Sequence, residues 1–211
     1  MQEERRDYVR IDDCLAFDYK ILTPEEYEKE KEIFLKQPSA VEKVKFKYPF
    51  LPLSFTGERK KESELKIQTT EQMLFGLLVN LNEKIDTILH LLGHKEKEKT
   101  NLRLKPLSYV NISGAGMRFI TEEKMKPGDF LKIDILLPLF PSFIITVLAE
   151  IKRVKEISTK EYETAVSFKH MHEEDREALI YYIFMRQRKL IRMCKEENVK
   201  DEQILIQTDN K

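Results

Sequence analysis

The sequence has few cysteines and no long hydrophobic run. Only two of its 211 residues are cysteines, Cys14 and Cys194, and their separation matches no metal or redox motif. We expect both to be reduced and structural, in a cytosolic protein. The longest apolar run, Ile135 to Ala149, is too short to cross a bilayer, and Pro138 and Pro141 lie in its middle. Two strands joined by a turn explain this run better than a membrane helix does.

The chain has no excess of either charge. Lysine and arginine number 37 and aspartate and glutamate also number 37, whereas a protein that coats nucleic acid carries a basic excess. The apolar fraction of 41% is enough for a core, and the charged fraction of 35% predicts a large solvated surface. No apolar signal core is present near the N-terminus, so we expect a soluble, cytoplasmic protein without a membrane span.

No group of residues indicates an enzyme. The sequence offers no nucleophile–base arrangement, no paired carboxylates in a plausible cleft and no glycine-rich phosphate loop opening a helix. Asp12 and Asp13 are neighbours on a predicted strand, so they point to opposite faces. His90 and His94 are four residues apart, but no nearby cysteine or carboxylate completes a metal site. We therefore expect a binding module without a metal or a cofactor.

Two parts of the chain have the pattern of β-structure. Alternating apolar residues predict one half-buried strand over Ile11–Leu22. From Asn101 onward, short apolar segments with turns about every eight to twelve residues predict an antiparallel barrel or sandwich. The predicted strands there are 117–120, 130–137, 143–154 and 163–168. A last helix is predicted to begin near His172 and to end in a cationic segment through Lys195, with 198–211 as a loose tail.

Two further segments lie between the first strand and Asn101. Thr23 as N-cap, Pro24 in the first turn and Glu26 three residues after the cap predict a helix that runs to about Gln37. Residues 39–68 are ambiguous, although the alternation of Val44, Phe46 and Tyr48 with lysines suggests a short strand.

A long helix with a regular apolar seam is predicted over Thr70–Leu92, with Gly93 as its C-terminal cap. Packing on the core of its own domain is one interpretation. The heptad spacing and the charged flanks favour the other, a coiled coil or bundle between copies of the chain. The seam consists of Leu74, Leu78, Leu81, Ile85, Ile88 and Leu92, and Leu77 and Leu89 widen its face.

The stretch Tyr109–Phe119 contains two glycines, a serine and an asparagine between apolar residues, which predicts two strands joined by a tight turn. Near the N-terminus, Arg5, Arg6 and Arg10 form either a solvated terminus or an anion-binding arm whose guanidinium groups suit phosphate or guanine. From the arginines alone we favour the solvated terminus.

Taken together, these two stretches resemble the PilZ family. Arg6 and Arg10 match the RxxxR half of its two-part signature, and Asn111-Ile-Ser113-Gly-Ala-Gly116 matches the D/NxSxxG half. The likeness covers about residues 4–22 and 103–195. It divides the chain into an arm and first strand (1–22), a helical insertion for oligomerisation (23–100), the rest of the barrel with its helix (101–197) and a tail (198–211).

The resemblance implies a mainly β protein: a six-stranded antiparallel barrel with a C-terminal helix and an inserted helical segment. It also implies a receptor for the bacterial second messenger cyclic di-GMP, acting in motility, exopolysaccharide or surface-attachment control. Asn111 stands where many members have aspartate, and a neutral amide predicts lower affinity. The implied ligand-binding residues are Arg5, Arg6, Arg10, Asn111, Ser113, Gly114 and Gly116, and Arg153 lies on a strand from which it could reach the ligand.

The arginine arm is predicted to be mobile without ligand, because like charges repel and nothing apolar holds it, and to close on the barrel when ligand binds. One alternative is an oligomeric PilZ-like scaffold that does not bind the nucleotide. Another is a nucleic-acid-binding barrel, which the neutral net charge and the lack of an aromatic stacking ladder disfavour.

Overall fold

The structure is a computed structural model that describes residues 8–47, seven positions between 74 and 88, Leu102, and residues 105–208 except Phe140, with side chains through Met193. One antiparallel sheet of seven strands curls around the core, and helices lie against it. The strands are β1 (Arg10–Leu15), β2 (Phe17–Leu22), β3 (Ser108–Ser113), β4 (Gly116–Thr121), β5 (Phe130–Leu137), β6 (Phe143–Ser158) and β7 (Glu161–His170); the helices are α1 (Pro24–Lys36), α2 (Ala40–Lys47) and α3 (Glu173–Thr208).

The first predicted strand is divided in two at Ala16. β1 and β2 are the two edges of the sheet, whose order is β1-β3-β4-β7-β6-β5-β2, and they are consecutive in the chain. The carbonyl of Ala16 accepts a hydrogen bond from the Leu136 amide, 3.0 Å away. Because one straight strand cannot pair with both edges of a curled sheet, the chain bends here. The sheet therefore has seven strands, not the predicted six.

The core lies inside the curl of the sheet. Alternate residues of β5 and β6, such as Ile133, Ile135 and Ile145, are fully buried, and each contributes about 1.5–3 kcal/mol through removal of apolar surface from water. α3 covers the core with Leu179 and Ile183, which are also buried. The alternation along the strands therefore separates a packed inner face from an outer face that can bind a ligand.

α1 begins as predicted. Its N-cap Thr23 accepts a hydrogen bond from the Glu26 amide, and the Glu26 carboxylate accepts from the Thr23 amide, which forms a capping box. Tyr27 stacks on Phe130 of β5 with the ring centroids 4.0 Å apart. Phe34 is also buried, so α1 packs on the sheet as a helical insertion after the first strands.

α2 replaces the short strand suggested over Val44–Tyr48. Ser39 and Glu42 form a second capping box, with reciprocal hydrogen bonds of 3.0 Å. The buried carboxylate of Asp175, in the first turn of α3, accepts hydrogen bonds from the amides of Ala40 and Val41. Two sets of acceptors thus satisfy the N-terminal amides of α2, and the apolar alternation gives way to a helix.

α3 begins after His172 as predicted but continues to Thr208. The segment 198–208 is therefore helical, and the prediction of a loose tail there was wrong. β6 and β7 are also longer than predicted: β6 ends at Ser158 and β7 runs from Glu161 to His170, and the two strands pair with each other from the turn between them to Leu148 and His170.

All seven described positions in the predicted helix 70–92 are helical. Their six apolar side chains are exposed, between 44% and 67%. Leu89, His90, Leu92 and His94 lie outside the described residues. Within the described part, no histidine, cysteine or carboxylate cluster suits a metal ion, and no helix is long and apolar enough to span a membrane. The six apolar residues are Leu74, Leu77, Leu78, Leu81, Ile85 and Ile88.

Candidate ligand-binding site

The structure brings the described end of the arginine arm, Arg10, to the hairpin. Arg10 opens β1, and its Cα partner on the neighbouring strand is Ser113, the last residue of β3. The Arg10 side chain is exposed and makes no ion pair with any other described residue. Arg5 and Arg6 lie outside the described residues. Two stretches far apart in the sequence therefore meet at the same corner of the sheet, and Arg10 is a cation available there.

The hairpin has the predicted form, a two-residue turn of Gly114 and Ala115 between β3 and β4. Ser113 is buried, and its hydroxyl makes two hydrogen bonds within the turn. It donates to the Gly116 carbonyl at 3.2 Å and accepts from the Ala115 amide at 3.3 Å. In this structure the Ser113 hydroxyl therefore holds the turn in shape.

The two glycines of the motif allow close approach between parts of the chain itself. A Cβ on Gly116 would lie 2.3 Å from the Val166 carbonyl oxygen of β7. A Cβ on Gly114 would lie 2.7 Å from the Tyr8 ring and 3.1 Å from Ile180 of α3. Both positions thus have a packing reason for glycine in addition to the expected approach of a ligand.

Tyr8 holds the base of the arm. Its ring lies over Gly114 and beside α3, where Arg176 donates to the Gly114 carbonyl at 2.5 Å. The prediction that nothing apolar holds the arm was therefore wrong for the part from Tyr8 onward. The arm, the hairpin turn and α3 meet at Gly114, so movement of one of them affects the others.

A polar row crosses the outer face of the sheet beside the hairpin. Asp12, Asn111 and Arg118 are consecutive cross-strand partners. The Asn111 amide donates to the Asp12 carboxylate at 2.8 Å. Farther along the row, Glu163 accepts from both Arg118 and Arg153, each at 3.1 Å. Arg153, expected from the sequence, therefore lies on the same face as Asn111.

Three members of this row were not among the predicted site residues: Asp12, Arg118 and Glu163. Arg118 could have been found from the sequence, because a two-residue turn at 114–115 fixes Asn111 opposite position 118. The row places acceptors at the Asp12 end and guanidinium donors at the Arg153 end. Such a face can accept from the N–H groups of a base and donate to phosphate or carbonyl oxygens.

Asp13 lies on the inner side of β1, as its alternation with Asp12 predicts. Its buried carboxylate accepts from the Tyr182 hydroxyl at 2.5 Å and from two nitrogens of Arg186 at 2.7 and 2.8 Å. Burial by itself raises the pKa of Asp13, but the hydrogen bonds from Arg186 and Tyr182 outweigh it and lower the pKa below its ordinary value. This cluster fixes α3 to the strand that carries Arg10.

Residues 94–185 match the family model described as the PilZ domain. The chain contains a PilZ domain. Domains of this family are generally receptors rather than enzymes, and a PilZ domain indicates signalling related to cyclic di-GMP. The matched region contains the hairpin and the sheet from β3 to β7; the arm, β1 and β2 precede it.

Two similar solved structures are also of interest. A tetrameric PilZ-domain protein from Xanthomonas campestris, self-assembled through a helical bundle, shares 16% identity with this chain; the alignment covers 88% of this chain and 91% of that one, with a TM-score of 0.43. An inhibitor of motility from Bacillus subtilis shares 24% identity over 39% of this chain and 41% of that one, with a TM-score of 0.35. No curated protein matches the chain significantly.

Proposed function

We propose that the protein is a cytoplasmic receptor for cyclic di-GMP that binds the nucleotide between the arginine arm and the hairpin. The observation that carries the proposal is the pairing of Arg10 with Ser113, which joins the two halves of the PilZ signature at one corner of the sheet. The proposed ligand-binding residues are Arg5, Arg6, Arg10, Asn111, Ser113, Gly114, Gly116 and Arg153.

The chemistry of the ligand suits these residues. Cyclic di-GMP has two phosphates and two guanines, and an arginine fork can bind either a phosphate or the O6 and N7 acceptors of guanine. The Asn111 amide nitrogen is already engaged by Asp12, so its carbonyl oxygen is the group left to accept from guanine. Asp12 adds a charged acceptor beside it, which offsets the absence of an aspartate at position 111.

A second cationic part of the proposed site lies beside Glu163. Arg118 and Arg153 share this carboxylate in the free protein. A ligand phosphate on the same face would compete with Glu163 for them. We therefore add Arg118 to the proposed binding residues, with Glu163 as the group that orients both guanidinium groups.

Calorimetric titration of cyclic di-GMP into the full chain tests the proposal. We expect Arg10→Ala to lower affinity about 5- to 150-fold, corresponding to the roughly 1–3 kcal/mol of one arginine–guanine pair. Lys124→Ala, at an exposed lysine between β4 and β5, is the control and should bind like the wild type. The proposal fails if the wild type does not bind, or if Arg10→Ala binds as tightly as the control.

We also propose that copies of the chain assemble through helix 70–92. The described residues that support this are six apolar residues, all helical and exposed. Five of them follow one another at spacings of four, three, four and three residues (Leu74, Leu78, Leu81, Ile85 and Ile88), and Leu77 adjoins Leu78. An oligomeric scaffold that does not bind the nucleotide is the second candidate function, because the same surface would serve it. The titration separates the two functions, since only the receptor binds cyclic di-GMP.

A further inference from the structure

We propose a second ligand site, which binds a small nucleoside phosphate, in a cavity of about 840 Å³ beneath α3. The cavity lies between α3, the end of β1 and the turn that connects β5 to β6. The described residues that line it include none of the arm or the hairpin. It therefore goes beyond the proposed cyclic di-GMP site and uses a different part of the barrel.

One side of α3 forms most of the wall. Tyr181, Met185, Arg188 and Arg192 all line the cavity, and their spacing of four, three and four residues places them along a single stripe. Tyr182, Arg186 and Lys189 form the adjacent stripe and line the cavity too. The helix thus turns aromatic, apolar and cationic side chains toward the same space.

The charge in the cavity is unbalanced. Of the described residues that line it, four are cationic and one, Asp13, carries a carboxylate, which already accepts from Arg186 and Tyr182. Among the described residues no carboxylate pairs with the remaining three cations, Arg188, Lys189 and Arg192. Like charges one helical turn apart repel, so a bound anion would relieve the repulsion between Arg188 and Arg192.

The rest of the cavity wall is apolar and indicates which class of anion fits the cavity. Pro138 and Leu139 of the β5–β6 turn and Met185 of α3 give the cavity an apolar part. The volume lies within the roughly 300–1,000 Å³ of small-molecule sites. A bare phosphate would use the cations but leave this apolar part empty. A nucleoside phosphate fits both parts, with its phosphates on the arginines and its base against the apolar and aromatic wall.

Cys14 gives a reporter that is local to this cavity. It lines the cavity and is a free, exposed cysteine. In a Cys194→Ser background it is the only cysteine in the chain. The alkylation rate of Cys14 by iodoacetamide, followed by mass spectrometry, then measures occupancy. The probes are GTP, pyrophosphate and a short polyglutamate peptide, each titrated without divalent metal.

We expect GTP to slow Cys14 alkylation at lower concentration than pyrophosphate does. The double substitution Arg188→Gln and Arg192→Gln should weaken this protection by about tenfold or more, because two charge-assisted contacts are lost. Lys155→Gln with Lys160→Gln removes the same charge elsewhere on the barrel and should leave protection unchanged. A thermal melt checks that both double variants are folded; the substituted side chains are exposed in each case.

Three results would overturn the proposal. The first is that GTP does not protect Cys14 from alkylation. The second is that the polyglutamate peptide alone protects Cys14, which would mean an acidic protein partner. The third is that GTP protects Cys14 equally in both double variants. Arg10→Ala is included to keep the two sites distinct. It should weaken cyclic di-GMP binding at the arm about 5- to 150-fold without changing the protection of Cys14 by GTP, so a negative result at one site leaves the other testable.

Discussion

At the scale of single residues, the hairpin motif has a packing role in the fold that is independent of any ligand. Ser113 is buried and holds the turn, and Gly116 gives the β7 backbone room. The sequence predicted the tight turn correctly, because its glycines, serine and asparagine lie between apolar residues, and the binding role of these residues stays a prediction. Their packing role could not be predicted, since the contact with Val166 depends on which strand lies beside β4.

The two glycines should respond differently to alanine. Gly116→Ala brings a methyl group within 2.3 Å of a backbone oxygen in a paired strand, so we expect the free energy of unfolding to fall by about 1–3 kcal/mol. Gly114→Ala meets only the half-exposed Tyr8 ring and the Ile180 side chain, which can move aside. Urea unfolding measures both; a larger loss in Gly114→Ala would contradict this account of the hairpin.

The Asp13 cluster should make stability depend on pH. Because the folded-state pKa of Asp13 is lowered, its stabilisation is present above the unfolded pKa of about 3.9 and is lost as the pH falls through the folded value. Asp13→Asn should therefore cost more stability at pH 7 than at pH 3, as measured by urea unfolding. Asp12→Asn, on the outer face, is the control. A cost for Asp13→Asn that does not change with pH would refute the assignment.

At the scale of elements, local signals predicted some helices well and others poorly. The capping box at Thr23 was read correctly, whereas the equivalent box at Ser39 and Glu42 was masked by the alternation of Val44 and Phe46 with lysines. What decides in favour of α2 is a distant acceptor, Asp175, which no local pattern reveals. The division of the first strand at Ala16 is likewise imposed by its two different partner strands.

The anchor between α2 and α3 can be tested directly. Asp175→Ala leaves the buried amide of Val41 and the amide of Ala40 without their acceptor, and we expect a loss of about 1–3 kcal/mol in the free energy of unfolding. Ser39→Ala removes only one local cap and should cost about 1 kcal/mol. Hydrogen exchange of the α2 amides should accelerate more in Asp175→Ala. Equal acceleration in the two variants would show that the local cap holds α2 by itself.

At the scale of the whole molecule, the chain curls its sheet by its two edge strands, and the described residues of helix 70–92 expose an apolar surface. The two edge strands are consecutive, so the polar groups of the sheet edges meet near Ala16. The six exposed apolar residues of helix 70–92 are the surface that we expect a second copy of the chain to cover, because an exposed apolar patch marks an interaction site. The sequence predicted this surface from its spacing alone, and a single chain does not bury it.

Assembly through this surface predicts a mass that is a multiple of the 25.1 kDa chain. Leu78→Lys with Leu81→Lys places two charges on the stripe and should shift light-scattering mass to that of one chain. Leu81→Met keeps the volume and the apolar character and should leave the assembly intact. A wild-type mass of one chain, or an assembly that survives the two lysines, would exclude this interface.

The central claim is that the arm and the hairpin hold cyclic di-GMP together. Hydrogen–deuterium exchange of the full chain, with and without saturating cyclic di-GMP, tests it most directly. We expect slower exchange at the described end of the arm, Tyr8–Asp12, and at the hairpin, Tyr109–Arg118, with no change in β5 or in the buried part of β6, residues 143–151. No change on addition of the ligand, or protection confined to residues outside these two segments, would contradict the account.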